Sequence, residues 1–191
     1  MSDSDRRLVI EGGESIVDFN SKAFKAVPES GIEDAVATMR AGMMYRYQPK
    51  RAEDSHVSLF EKEFATPLGS NFALGVNSCG AAMFIALNIA GVKPGDKVLS
   101  NGFTFTAVPS AIHHARAEPV FVESNLEWGL DAEDLEHKVK ESGAKVLLLS
   151  YMRGHVPNMD AIMAVVERYD LYLIEDCAHA YMTFWNGKKL G

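Results

Sequence analysis

A chain of 191 residues, 47% hydrophobic and 24% charged, has the length and make-up of one soluble α/β domain of ordinary size. Its net charge of −7 at pH 7, with no basic stripe, argues against nucleic acid as a partner. The longest apolar run, residues 81–87, is too short for a membrane span, MSDSDRRLV has no apolar leader run, and Cys79 and Cys177 lack metal-type spacing, so a reduced cytoplasmic protein is expected.

Residues 1–29 are mixed and polar, with Gly12-Gly13 and Pro28, and read as an arm; residues 30–191 read as one domain. Ile32, Ala35, Val36 and Met39 fall on one helical face, with Gly42 as the stop. MMYRYQPKR, 43–51, is a loop of aromatics and cations. Val57, Phe60, Phe64 and Leu68 predict a second amphipathic helix, ended by Pro67 and Gly69. From Phe72 strands and helices alternate. FALGV, 72–76, reads as a strand. Residues 78–91 read as a helix that is apolar nearly all round, and so buried on most sides. A strand over 97–100 precedes a helix over 105–114 with Pro109 in its first turn. A strand over 118–123, a polar helix over 131–142 closed by Gly143 and a strand over 145–150 follow. Met159, Ile162, Met163 and Val166 share the face of a helix opened by Asn158. LYLIED, 171–176, closes the series. Regular alternation with apolar strands implies an α/β fold: a mostly parallel sheet flanked by helices.

Candidate site residues sit where strands end, the edge at which open α/β sheets bind ligands. Asn77-Ser78-Cys79-Gly80-Ala81 opens a helix with small residues. There, free N–H groups and the helix dipole favour a phosphate, or the small side chains merely permit tight packing. Neither a dinucleotide glycine fingerprint nor a Walker loop is present. In Asn101-Gly102-Phe103-Thr104-Phe105 an aromatic could stack on a flat heterocycle, or be a core residue under a loop. Arg153 could clamp a carboxylate or phosphate, or form a surface ion pair. Asp176, ending LYLIED, could hold a protonated ring nitrogen or cap the next turn. His56, His113, His114 and His137 read as surface or packing residues, and no His/Asp/Glu set has metal spacing.

Taken together, HVSLFEKEFA, ALGVNSCGAAMFIAL, GVKPGDKVLSNGFTFTAVPSAI, AEPVFVE, GHVPNMDAI, LIEDCAHA and NGKKLG match a known family in order and spacing, from about Ile32 to the last residue. The chain resembles the DegT/StrS-type sugar aminotransferases of fold type I. The resemblance implies that residues 30–191 are the large domain that binds pyridoxal 5′-phosphate. Cys79-Gly80 stands where the family usually has Gly-Thr holding the cofactor phosphate; the hydroxyl is lost at Gly80, so that contact would rest on backbone N–H groups and Ser78. Phe105 stands at the aromatic that stacks on the pyridine ring, Asp176 at the partner of the ring nitrogen, and His179 near the ring hydroxyl. Arg153 and the basic 46–51 loop hint at an anionic group on the substrate.

The resemblance also carries a departure. The family's Schiff-base Lys follows a segment downstream of the GKKLG-like sequence, and the small C-terminal domain lies beyond it. Lys188 and Lys189 match a variable turn pair, so this chain is expected to hold no catalytic residue. It reads as the N-terminal half of an enzyme that moves an amino group from glutamate or glutamine to a keto-sugar, often nucleotide-linked. Activity would then require a second polypeptide or the missing C-terminal half, and the assembly would be a homo-oligomer or a hetero-oligomer with that half. Three alternatives stay open: a cofactor-dependent sugar dehydratase, a non-catalytic assembly or regulatory subunit, and a nicotinamide-binding module.

Overall fold

The computed structural model describes residues 8–14 and 26–191. The arm expected over 1–29 lies mostly outside the described residues. The chain forms two units that divide between Ser55 and His56. In the first, helix α1 (Glu29–Ala41) ends on Gly42 at φ 69°, the left-handed conformation that glycine adopts without a Cβ penalty. Its expected apolar stripe is exposed within this unit: Ile32 and Met39 both lie open. In the 43–51 loop the rings of Tyr45 and Tyr47 stack with centroids 5.4 Å apart.

The second unit carries the α/β pattern. In chain order it holds α2 (His56–Leu68), α3 (Cys79–Ile89), β1 (Lys97–Asn101), α4 (Ala107–His114), β2 (Glu118–Val122), α5 (Ala132–Ser142), β3 (Val146–Ser150), α6 (Met159–Tyr169), β4 (Tyr172–Asp176) and the short strands β5 (Phe184–Trp185) and β6 (Lys188–Lys189). Strands β1 to β4 form a parallel sheet in the order β2-β1-β3-β4. The chain leaves β1 to one side for β2 and returns to the other side for β3. The β1–β3 boundary is therefore the switch point, where neighbouring connections part and a crevice opens at the C-terminal edge.

The pleat sends alternate residues to opposite faces. Leu99, Leu147, Leu149 and Tyr151 face one core, closed by Leu135 and Val139 of α5 and Ile162 and Val165 of α6. Val98, Val146 and Leu148 face a second core, closed by Met83 and Leu87 of α3 and Val108, Ala111 and Ile112 of α4. Local signals fix the helix ends. Asp131 accepts from the N–H groups of Glu133 and Asp134 at 2.8 and 3.1 Å, Asn158 accepts from Ala161 at 3.2 Å, and Gly143 closes α5 at φ 67°.

The structure departs from the expected elements in places. Residues 72–76 form no strand: the segment lies against α2, where the Gly75 N–H donates to Glu61 at 2.6 Å, and Phe72 is 91% exposed. α3 is not buried on most sides, because the sheet and α4 cover only the Met83 and Leu87 stripe; Ile89 is 73% exposed. α2 buries Ala65 and Glu61, while Phe60, Phe64 and Leu68 line an open apolar hollow of about 440 Å³ with Phe72 and Leu74. Lys188 and Lys189 are not bare turn residues either. They form β6 of a hairpin whose turn is Asn186-Gly187, with φ 48° and 78°, as a two-residue hairpin of this type requires. Trp185 and Asn186 anchor that hairpin to Asp160, at 3.1 and 3.0 Å. No helix among the described residues is long and apolar enough to cross a membrane.

Candidate active site

At the C-terminal edge of the sheet β1, β3 and β4 end in polar residues, Asn101, Ser150 and Asp176. On β4 the two carboxylates Glu175 and Asp176 take opposite faces. Glu175 turns to the α5/α6 face, where it accepts from the Tyr151 hydroxyl and from the Gly191 N–H at 3.3 Å. Burial and the adjacent Glu175 push the Tyr151 hydroxyl well above its ordinary pKa, so it stays a protonated donor.

Asp176 turns to the α3/α4 face. Its Oδ2 accepts from the Ser150 hydroxyl at 2.8 Å, and its Oδ1 accepts from the Ala178 N–H at 3.1 Å and the Cys79 thiol at 3.6 Å. All three donors are neutral, and among the described residues no cation pairs with this carboxylate. Burial first, then the charge and hydrogen bond of Asp176, raise the Cys79 pKa, so the thiol is held in its donor form. Cys177, behind the strand end, is pushed up to about 12 by burial and by Glu175 and Asp176. Neither sulfur is in a disulfide.

The Cys79 contact joins the first turn of α3 to the end of β4. Ser78 stands in extended conformation at the N-cap, and its Oγ accepts from Ala81 N–H at 3.1 Å. The N–H groups of Cys79 and Gly80 point out of the first turn with no partner among the described residues, as helix geometry dictates. A Cβ added at Gly80 would meet only Ser78 Oγ, at 3.9 Å, so the approach is open.

The loop leaving β1 is tied across the switch point. Asn101 donates to the Phe103 carbonyl at 2.6 Å and the Ser150 carbonyl at 3.2 Å, and accepts from the Ser150 N–H at 3.0 Å. Phe103 packs on Trp128, with centroids 5.1 Å apart. Phe105 lies just ahead of α4, outside the helix expected to begin there, and is 60% exposed. Cys79-Gly80 and Asp176 thus meet on one face of the sheet, and Phe105 leaves the same C-terminal edge in the loop between β1 and α4. His179 accepts from the Arg153 N–H through Nδ1 at 3.1 Å, which leaves its Nε2 to carry the ring proton. The loops carrying them touch closely: a Cβ on Gly154, at φ 78°, would lie 3.0 Å from the His179 carbonyl. Arg153 itself is exposed at φ 60°, and the surface ion pair considered for it does not form among the described residues.

Sequence alone assigns no role to Ser150, nor to Asn101, which opens one of the candidate stretches. A trace existed: each is a polar residue closing an otherwise apolar strand.

A family model described as the DegT/DnrJ/EryC1/StrS aminotransferase family matches residues 40–191. The chain belongs to that family. The spore coat polysaccharide biosynthesis protein SpsC of Bacillus subtilis is 35% identical over 161 residues, covering 84% of this chain and 39% of that protein. Among solved structures, 3-amino-5-hydroxybenzoic acid synthase superposes with a TM-score of 0.79 at 29% identity, over 88% of this chain and 43% of that one. The PLP form of a putative sugar aminotransferase from Streptococcus pneumoniae gives 0.74 at 25%, over 87% and 44%. The chain thus spans about two fifths of these relatives. As expected, the fold is that of fold type I aminotransferases, and the DegT/DnrJ/EryC1/StrS family with its PLP-form neighbour indicates pyridoxal phosphate as the cofactor.

Proposed function

We propose that residues 30–191 supply the cofactor-binding part of an aminotransferase that moves an amino group from glutamate or glutamine to a keto-sugar. Family membership supports the reaction class, and the names of the relatives, one in polysaccharide biosynthesis and one a putative sugar aminotransferase, support a sugar as the amino acceptor.

The observation that carries the reading is the Asp176 carboxylate: fixed at the sheet edge by neutral donors, beside a helix N-terminus, with no cation paired to it among the described residues. Such a carboxylate suits a ligand bearing a protonated ring nitrogen, and the free N–H groups of α3 suit that ligand's phosphate. The residues therefore fit pyridoxal phosphate. Cys79 and Gly80 would take the phosphate through backbone N–H groups, with Ser78 adding its hydroxyl proton. Phe105, with its exposed ring, would cover a flat face. Asp176 would hold a proton at the ring nitrogen, and His179 would offer its Nε2–H to a ring oxygen. When bound, the cofactor supplies a conjugated electron sink beside the amino group being moved.

Binding of pyridoxamine 5′-phosphate, which needs no covalent link to the protein, tests this. A charge-assisted hydrogen bond is worth about 1.5–3 kcal/mol, so Asp176→Asn should weaken the affinity by roughly ten- to a hundredfold while circular dichroism stays native. Unchanged affinity in a folded Asp176→Asn variant would refute the assignment.

A further inference from the structure

We propose that Ser150, locked to β1 by Asn101, is a positioning residue that sets the orientation of the Asp176 carboxylate toward a ring nitrogen. The inference rests on the reading of Asp176 just given and goes one residue further back.

Three observations lead to it. First, the β1–β3 ladder stops at Ser100 and Leu148. The rung after it is made by the Asn101 side chain, which takes both the N–H and the carbonyl of Ser150. The Ser150 backbone is thereby satisfied without its hydroxyl. Secondly, Ser150 pairs with Asp176 in the β3–β4 register, so the two side chains share a face, and the hydroxyl donates to Oδ2 at 2.8 Å. Thirdly, Ser150 is buried at 7% exposure and its Oγ has only the three staggered positions of one torsion open to it, of which the one occupied lies on Oδ2.

The other donors act on the opposite oxygen: Ala178 N–H and the Cys79 thiol both reach Oδ1. With Oδ1 held by two donors and Oδ2 by one, the carboxylate plane has one orientation, and the remaining lone pair of Oδ2 is left for a cationic donor. Removing the Ser150 hydroxyl frees Oδ2 to swing about the Oδ1 anchor. Asn101 acts through Ser150 and does not itself reach Asp176.

The test uses pyridoxamine 5′-phosphate labelled with ¹⁵N in the ring. Its affinity is measured by fluorescence, and its ring-nitrogen shift, which reports protonation, is measured in the bound state. Ser150→Ala, Ser150→Cys and Ser150→Thr are compared with the unaltered chain and Asp176→Asn, with circular dichroism and urea midpoints alongside. Thr keeps the hydroxyl, Cys keeps the shape with a weaker donor, and Ala keeps neither. Affinity should fall by about three- to tenfold in Ser150→Ala, the weight of one hydrogen bond. The nitrogen signal should move toward the unprotonated position, with Cys intermediate and Thr close to the unaltered chain. Any two folded Ser150 variants suffice to read that order.

If the Ser150 variants shift only the urea midpoint and leave the bound nitrogen signal in place, while Asp176→Asn moves it, Ser150 is merely structural and the inference falls alone. If Asp176→Asn also leaves the signal in place, the reading of Asp176 falls and takes the inference with it.

Discussion

Glu175 and Asp176 are adjacent in sequence, identical in charge and one methylene apart in size, yet the fold gives them different surroundings. β4 sends them to opposite faces of one sheet, and each meets a hydroxyl from a successive residue at the end of β3: Tyr151 for Glu175, Ser150 for Asp176. On the α5/α6 face the hydroxyl is wholly buried, the carboxylate is also tied to Gly191, and Leu99, Leu147, Leu149 and Ile162 pack beneath it. On the α3/α4 face apolar packing stops at Leu148, and the next layer is polar and open toward the first turn of α3. The same pair of groups therefore locks a chain segment in one place and leaves a lone pair for a ligand in the other. Position along a strand sets the edge a residue reaches; pleat parity sets the face, and with it the role.

The widest separation of the two faces should come from Leu147→Ala. Leu147 is fully buried on the Glu175 face, so the truncation should cost about 2–5 kcal/mol in urea unfolding. Affinity for pyridoxamine 5′-phosphate among the folded molecules should stay unchanged. A matching loss of affinity would mean that the two faces do not act independently. Tyr151→Phe should come next. It strips a charged acceptor of its hydroxyl donor and should cost about 1–3 kcal/mol by the same measurement. The ¹⁵N signal of the bound ligand should not move, in contrast to Ser150→Ala.

Much of this edge was legible in the sequence because its signals are local. Asp131, Asn158 and Gly143 mark helix ends through hydrogen bonds and backbone angles within a few residues of themselves. LYLIED announces a buried strand that stops on carboxylates, and α/β alternation brings its end to the ligand edge. What could not be read depends on neighbours distant in the chain. Asn101 and Ser150 are 49 residues apart, and their contact exists only because β3 crosses back beside β1. FALGV has the residue types of a strand, but a strand needs a partner, and among the described residues none lies alongside it. α3 is apolar all round, and periodicity says nothing about how many of its sides this chain covers; here it covers one. For the Lys188-Lys189 pair the local signal is Asn186-Gly187, the dipeptide that supplies both left-handed residues of the hairpin turn and puts the lysines on its second strand.

The smallest effect, and one of opposite sign, should come from Ser100→Ala. Ser100 lies on the same face as Ser150 and Asp176, one turn of the pleat deeper, and is completely buried. Unlike Ser150, its hydroxyl finds no partner among the described residues. A hydroxyl taken out of water without a hydrogen bond opposes folding, whereas a methyl group of nearly the same volume does not. Ser100→Ala should therefore leave stability unchanged or raise it by up to about 1 kcal/mol, read as the shift of the urea midpoint. The two serines then form a matched pair on one face: deleting the deeper hydroxyl relieves an unmet donor, and deleting the outer one releases a carboxylate. A loss of more than about 1 kcal/mol in Ser100→Ala would show that this hydroxyl is hydrogen-bonded after all. The polar layer would then begin one pleat repeat further into the sheet than Asp176 and Ser150 mark it, at the level of Leu148.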